Sequence, residues 1–235
     1  MKTEINPITG RANMARRSFL RYAGASAAAV AVMSTVASCA KNDPIFITPG
    51  GANGGIDIGS GDPGILNFAY ALEQLEAAFY LQVAATPYSG ISAIETAYLT
   101  DIRDHEVLHR DFFKAALGAK AIGTLTTDFS TINFSDRTSV LNAAKLLEDT
   151  GVRAYDGAGY LIKDAGYLTI AGKIVSVEAR HAALISNLIT PGSFVASDQI
   201  DDNGLNKSNT IAEVLAGANG FLKTKVSAVN YNYKP

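Results

Sequence analysis

A chain of 235 residues with 48% hydrophobic and 18% charged residues can bury one good core, so a single domain with appendages is expected. One cysteine in the whole chain excludes an internal disulfide, a zinc ribbon or a thiol nucleophile in the folded domain. Five of the 20 basic residues and one of the 22 acidic ones fall in residues 1–38, so residues 39–235 carry 15 against 21, net −6, which argues against a nucleic-acid partner.

In chain order, the first segment is "ARRSFLRYAG", with Arg16 and Arg17 ahead of Phe19 and Leu20, followed by the small-residue run "AGASAAAVAVMSTVAS". That order predicts a twin-arginine export signal over residues 1–38, with Met14 as an alternative start; the run is too short and too rich in Ala and Ser to be a membrane span. It ends in "VASC", whose Cys39 resembles the lipidated cysteine of a bacterial lipoprotein lipobox. The expectation is export to the periplasm or cell envelope and anchoring to the membrane by lipid. Residues 39–61, rich in Gly, Asp and Pro, read as a flexible tether.

From Asp62 and Pro63, a plausible N-cap and first helical residue, helical periodicity covers about 63–86, 92–117, 137–164 and 168–190. Four long segments with mostly short connections predict an all-α antiparallel four-helix bundle over 62–190. A C-terminal extension, 191–235, holds one further short helix at "NTIAEVLAGANGFLK".

At about 100° per residue, each long helix turns at least one carboxylate towards its apolar stripe. On the first, Glu73 and Glu76 share a face with Leu66, Ala69, Ala77 and Ala84; on the second, Glu106 and His109 lie among Leu99, Ile102, Phe113 and Leu117. On the third, Glu148 lies with Leu141, Ala144, Val152 and Ile162; on the fourth, Glu178 and His181 lie among Ile174, Ile185 and Ile189. The basic residues fall on the outer faces. An unpaired ionised carboxylate in a core costs several kcal/mol, so these groups need a neutralising partner. Two divalent cations balance four carboxylates, and mixed carboxylate and imidazole donors suit iron or manganese.

An internal repeat sharpens the pattern. Glu73 is followed seven residues on by Tyr80 and then by the pair Glu106/His109; Glu148 is followed seven residues on by Tyr155 and then by Glu178/His181. Each helical hairpin thus delivers Glu plus E-x-x-H, and two such halves close around a pair of metals. The extra Glu76 has Gly151 at its repeat-equivalent place. Tyr80 and Tyr155 read either as core packing or as hydrogen-bonding groups.

The segments "LNFAYALEQLEAAFY", "DHEVLHRDFF", "LLEDTGVRAY" and "VEARHAALI" resemble the ferritin-like superfamily of di-iron and di-manganese bundles, and within it the ferritin-like domain family that includes desiccation-related proteins. The resemblance implies Glu73, Glu106, His109, Glu148, Glu178 and His181 as ligands of two iron or manganese ions. Glu106 and Glu148 would bridge or chelate, and each histidine would cap one metal. Glu76 is an alternative to Glu73 or a supporting group. The implied activity is redox chemistry on small oxidants or ferrous iron, of ferroxidase, peroxidase or catalase type; the alternative is a stress or desiccation protein with a structural metal site.

"HEVLH", residues 105–109, also fits a zinc peptidase, with His105 and His109 as ligands and Glu106 as base. That reading has no third histidine within twelve residues after His109; Glu148 or Glu178 could formally serve as third ligand, but the second E-x-x-H and Glu73 are then left unexplained. In the dinuclear reading His105 is a bystander on the flank of the stripe. The first helix also carries a second apolar stripe, Phe68, Leu72, Leu75 and Phe79, so either the C-terminal tail or a partner subunit, in a homo-oligomer, covers it.

Overall fold

The computed structural model describes residues 55–235; the expected export signal, Cys39 and most of the expected tether lie outside the described residues. Four long helices dominate: α1 (Gly61–Ala85), α2 (Ala93–Leu117), α3 (Arg137–Ala158) and α4 (Ala165–Ile189), followed by a short α5 (Ile211–Ala218). α1 packs chiefly on α2 and α3 on α4, and α1–α3 contacts join the two hairpins.

The helix boundaries follow local chemistry. α2 starts at a capping box in which Ser92 accepts from the Glu95 backbone N–H and Glu95 accepts in return from Ser92. Such a cap is worth about 1 kcal/mol. α3 and α4 start at Asp136 and Asp164, which accept from Ser139 and Tyr167 backbone N–H groups. The expected N-cap Asp62 lies instead inside the first turn of α1, where Ser60 takes the N-cap position without a side-chain capping bond. Its carboxylate accepts from the backbone N–H groups of Lys163 and Asp164, both at 2.8 Å, so it ties the start of α1 to the α3–α4 turn. That turn also ends α3 earlier than the periodicity suggests: a single 3-10 turn, Gly159–Leu161, replaces its last residues.

Residues 118–136 are not a simple link. Asn67 donates to the Lys120 carbonyl and accepts from Ile122, Gln74 accepts from Leu125, and Phe79 meets Phe129 and Phe134. The connection therefore runs along α1 from its start towards its end and returns the chain across the length of the bundle. α3 consequently begins beside the start of α2, where Arg137 pairs with Glu95. Each hairpin is antiparallel, and an approximate twofold relates one to the other.

The same connection, with α5 and the tail, covers the second stripe of α1. Phe68, Leu72, Leu75 and Phe79 are all buried, so this chain alone closes the face that could have called for a partner. The end of the expected tether is also fixed: β1 (Ile56–Asp57) pairs in parallel with β2 (Val226–Ser227). Ile56 and Ile58 donate to the carbonyls of Lys225 and Ser227 at 2.8 and 3.0 Å. No helix among the described residues is long and apolar enough to cross a membrane.

Candidate metal centre

Residues three apart on a helix lie about 60° apart around its axis, so Glu106 and His109 on α2, and Glu178 and His181 on α4, point the same way. α1 adds Glu73 and α3 adds Glu148. These six side chains converge in the middle of the bundle, with all four carboxylates at 0% exposure. Two groups form, each with one donor atom per residue lying within 4.8 Å of the others: Glu73, Glu106, His109 and Glu178, and Glu106, Glu148, Glu178 and His181.

The two groups are near mirror copies. His109 Nδ1 lies 2.8 Å from Glu178, 3.5 Å from Glu73 and 3.6 Å from Glu106. His181 Nδ1 lies 2.8 Å from Glu106, 3.4 Å from Glu148 and 3.6 Å from Glu178. Glu106 and Glu178 thus belong to both groups, whereas Glu73 and Glu148 belong to one each. Of the two carboxylates expected to bridge or chelate, Glu106 falls in both groups and Glu148 in one. The twofold exchanges Glu106 with Glu178 and Glu73 with Glu148, so a symmetric shared pair is made from the two E-x-x-H glutamates.

Despite the 2.8 Å contacts, eight atoms of these six residues are buried without a hydrogen bond: Oε2 of Glu73 and Glu148, both oxygens of Glu106 and Glu178, and Nδ1 of both histidines. Buried polar atoms are almost always satisfied, and a set of orphans that is all carboxylate and imidazole could hold a metal ion. The residues present fit such ions.

Without metal, protons do part of the neutralising. Burial pushes Glu73 and Glu148 up to about 8, although the neighbouring His109 and His181 respectively oppose the shift. Against the desolvation that burial imposes, Glu148, Glu106 and Glu178 hold His181 up at about 12. Glu73, with Glu106 and Glu178, likewise holds His109 well above its ordinary value against desolvation. Glu106 resists burial and falls well below the carboxylate range because both histidines face it.

The tyrosines cross the twofold. Tyr80 on α1 donates to Glu148 on α3 at 2.5 Å, and Tyr155 on α3 donates to Glu73 on α1. Each bond takes the Oε1 of its glutamate, leaving the orphaned Oε2 towards the centre. Burial, reinforced by the partner carboxylate, raises both phenols well above their ordinary value, so they remain donors.

Glu76 belongs to neither metal group. One turn after Glu73, it is buried over α3, where a Cβ on Gly151 would come 3.0 Å from its Oε1. The glycine at its repeat-equivalent place is therefore what makes room for it. Desolvation, then the nearby Glu106, Glu178 and Glu148, pushes Glu76 far up, so it stays uncharged.

His105, expected as a bystander, is not one. Its Nδ1 lies 2.9 Å from Nε2 of His181, with the two rings edge to edge, centroids 5.2 Å apart and 9° between planes. It belongs to neither metal group, so the H-E-x-x-H peptidase pairing with His109 does not form. The pairing to His181 spans 76 residues, and nothing in the local pattern signals it.

No curated protein matches the chain. The family model for the ferritin-like domain matches residues 61–191, the stretch from the first residue of α1 to just past the end of α4. With both hairpins and all six converging residues inside that match, the chain belongs to the ferritin-like domain family.

Proposed function

We propose that this protein holds two iron or manganese ions and uses them for redox chemistry on peroxide, dioxygen or ferrous iron. The observation that carries the reading is the set of eight buried, unpartnered carboxylate and imidazole atoms in two symmetric groups. Glu106 and Glu178 would be shared between the ions, Glu73 with His109 would complete one, and Glu148 with His181 the other. Bound ions of this kind supply one-electron steps between divalent and trivalent states and Lewis acidity towards oxygen ligands.

The chain's own residues do the rest. The four-helix core excludes bulk water, which strengthens every charge interaction at the centre. Tyr80 and Tyr155 clamp the outer oxygens of Glu148 and Glu73 and so orient their inner ones. Glu76 holds a proton beside the shared carboxylates without belonging to either group. A structural metal centre is the second reading, favoured by the complete burial of the four carboxylates.

Elemental analysis of protein purified without chelator tests the first part: close to two ions per chain are expected. One zinc per chain, or no metal under any loading condition, overturns it. Turnover of peroxide or ferrous iron by loaded protein, lost on Glu106→Gln, supports the redox reading; two bound ions with no turnover of either leave the structural centre.

The same reading places the protein outside the cytoplasm. Arg16-Arg17, the apolar run and Cys39 in "VASC" support twin-arginine export and a lipid anchor in the periplasm or cell envelope. Such a route suits a cargo that folds around metal before export.

A further inference from the structure

The two halves of the centre differ at two places: Glu76, whose counterpart is Gly151, and His105. His105 precedes Glu106 on α2; the residue preceding Glu178 on α4, its counterpart under the repeat, is Val177. His181 therefore has an imidazole partner for its outer nitrogen. Among the described residues, the outer nitrogen of His109 has no hydrogen bond, and valine at the equivalent place has no group to offer.

We propose that His105 is a positioning residue that makes the two ions unequal, the one beside His181 firmly held and the one beside His109 exchangeable. The inference rests on the two-ion reading above. A neutral imidazole carries one N–H and one lone pair. To present a lone pair at Nδ1, towards Glu106, Glu148 and Glu178, His181 must carry its proton on Nε2. His105 Nδ1, 2.9 Å away and nearly in the plane of the His181 ring, is placed to accept that proton's hydrogen bond. Partners of this kind set the tautomer and raise the basicity of the ligating nitrogen, and their removal costs about 10–100-fold in metal affinity. His109 has no such support, so its ion is the one that loads last and leaves first. For an iron-oxidising centre, that is the position at which substrate iron would enter and depart.

Calorimetric titration with manganese(II) tests this on wild type and three variants. His105→Phe keeps an aromatic ring without the acceptor, His105→Asn restores an acceptor oxygen near the position of Nδ1, and His181→Gln removes the ligand itself. Two binding steps are expected in wild type, with the tighter one weakened about 10–100-fold by His105→Phe, the weaker one unchanged, and most of the loss recovered by His105→Asn. In the His181→Gln background, His105→Phe adds no further loss, which a general packing role would not predict. Equal weakening of both steps, or no change in either, overturns the inference while leaving the two-ion reading standing. Fewer than two ions in wild type overturns that reading, and this inference with it. Independently of metal, imidazole 15N–1H correlation spectra of the metal-free protein are expected to show a protonated Nε2 at His181 and a bare Nδ1 at His105. A protonated Nδ1 at His105 overturns the inference whether or not the variants fold.

Discussion

Tyr80 on α1 donates its phenolic hydrogen bond to Glu148 on α3 at 2.5 Å, and in doing so one half of the centre orients a carboxyl group of the other. Tyr155 repeats the arrangement towards Glu73. Both are buried contacts, and removing the donor leaves a carboxyl oxygen unpaired in the core. Tyr80→Phe is expected to cost about 1–3 kcal/mol in a urea melt of the metal-free protein. Tyr155→Phe should match it, because the two bonds are symmetry mates. The double variant should be close to additive, as each tyrosine serves a different glutamate. A cost from only one of the two would contradict the symmetric arrangement.

The metal-free and metal-loaded proteins are expected to respond to pH in opposite senses. Glu73 and Glu148 titrate at about 8 in the folded chain against an ordinary 4.5, and His181 at about 12 against 6.5. The folded chain therefore holds more protons than the unfolded one, and its stability falls as pH rises. For the glutamates the loss accumulates from about pH 4.5 and is complete above about 8; for His181 the gain is full below about 6.5 and is lost towards 12. Metal must displace those same protons, so its binding tightens over the same range. Thermal melts from about pH 5 to about pH 8, with and without manganese(II), should show the metal-free Tm falling while the metal-induced rise in Tm grows. A metal-induced rise that shrinks with pH would refute this proton competition.

Gly157 is expected to be the least replaceable glycine of α3. A Cβ there would stand 1.8 Å from the backbone oxygen of Asn209, whose N–H donates to the Arg153 carbonyl. Neither backbone can yield without parting helix and tail. Gly157→Ala should destabilise by roughly 1–3 kcal/mol despite the better helix propensity of alanine. It should also expose the segment before α5 to limited proteolysis. Gly123→Ala, where nothing lies within 4 Å of the new Cβ, serves as the control and should fall within about 0.5 kcal/mol of wild type.

Export and anchoring are separable in cells. Replacing Arg16 and Arg17 by lysine should retain the protein in the cytoplasm, and Cys39→Ser should release it from membranes without blocking export. Fractionation followed by immunoblotting reads both. Cys39→Ser protein that still partitions with membranes as wild type does would remove the lipid anchor from the proposal.

What could be read from the chain alone is what helix geometry fixes locally. The 3.6-residue period places Glu73, Glu106, Glu148 and Glu178 on apolar faces, and i, i+3 spacing puts His109 and His181 beside two of them; burial of that many carboxylates already demands compensation. Tertiary structure alone decided how the pieces meet. It gave the two converging groups Glu106 and Glu178 as common members, set Glu76 aside over Gly151, sent each tyrosine to the opposite hairpin, laid residues 118–136 along α1, and turned His105 from a flank residue into the partner of His181. These contacts join residues 49 to 82 positions apart. Helical periodicity determines only the direction a side chain leaves its own axis; which atom it meets depends on how the second hairpin is rotated and shifted against the first, and that is set by the packing of the whole core.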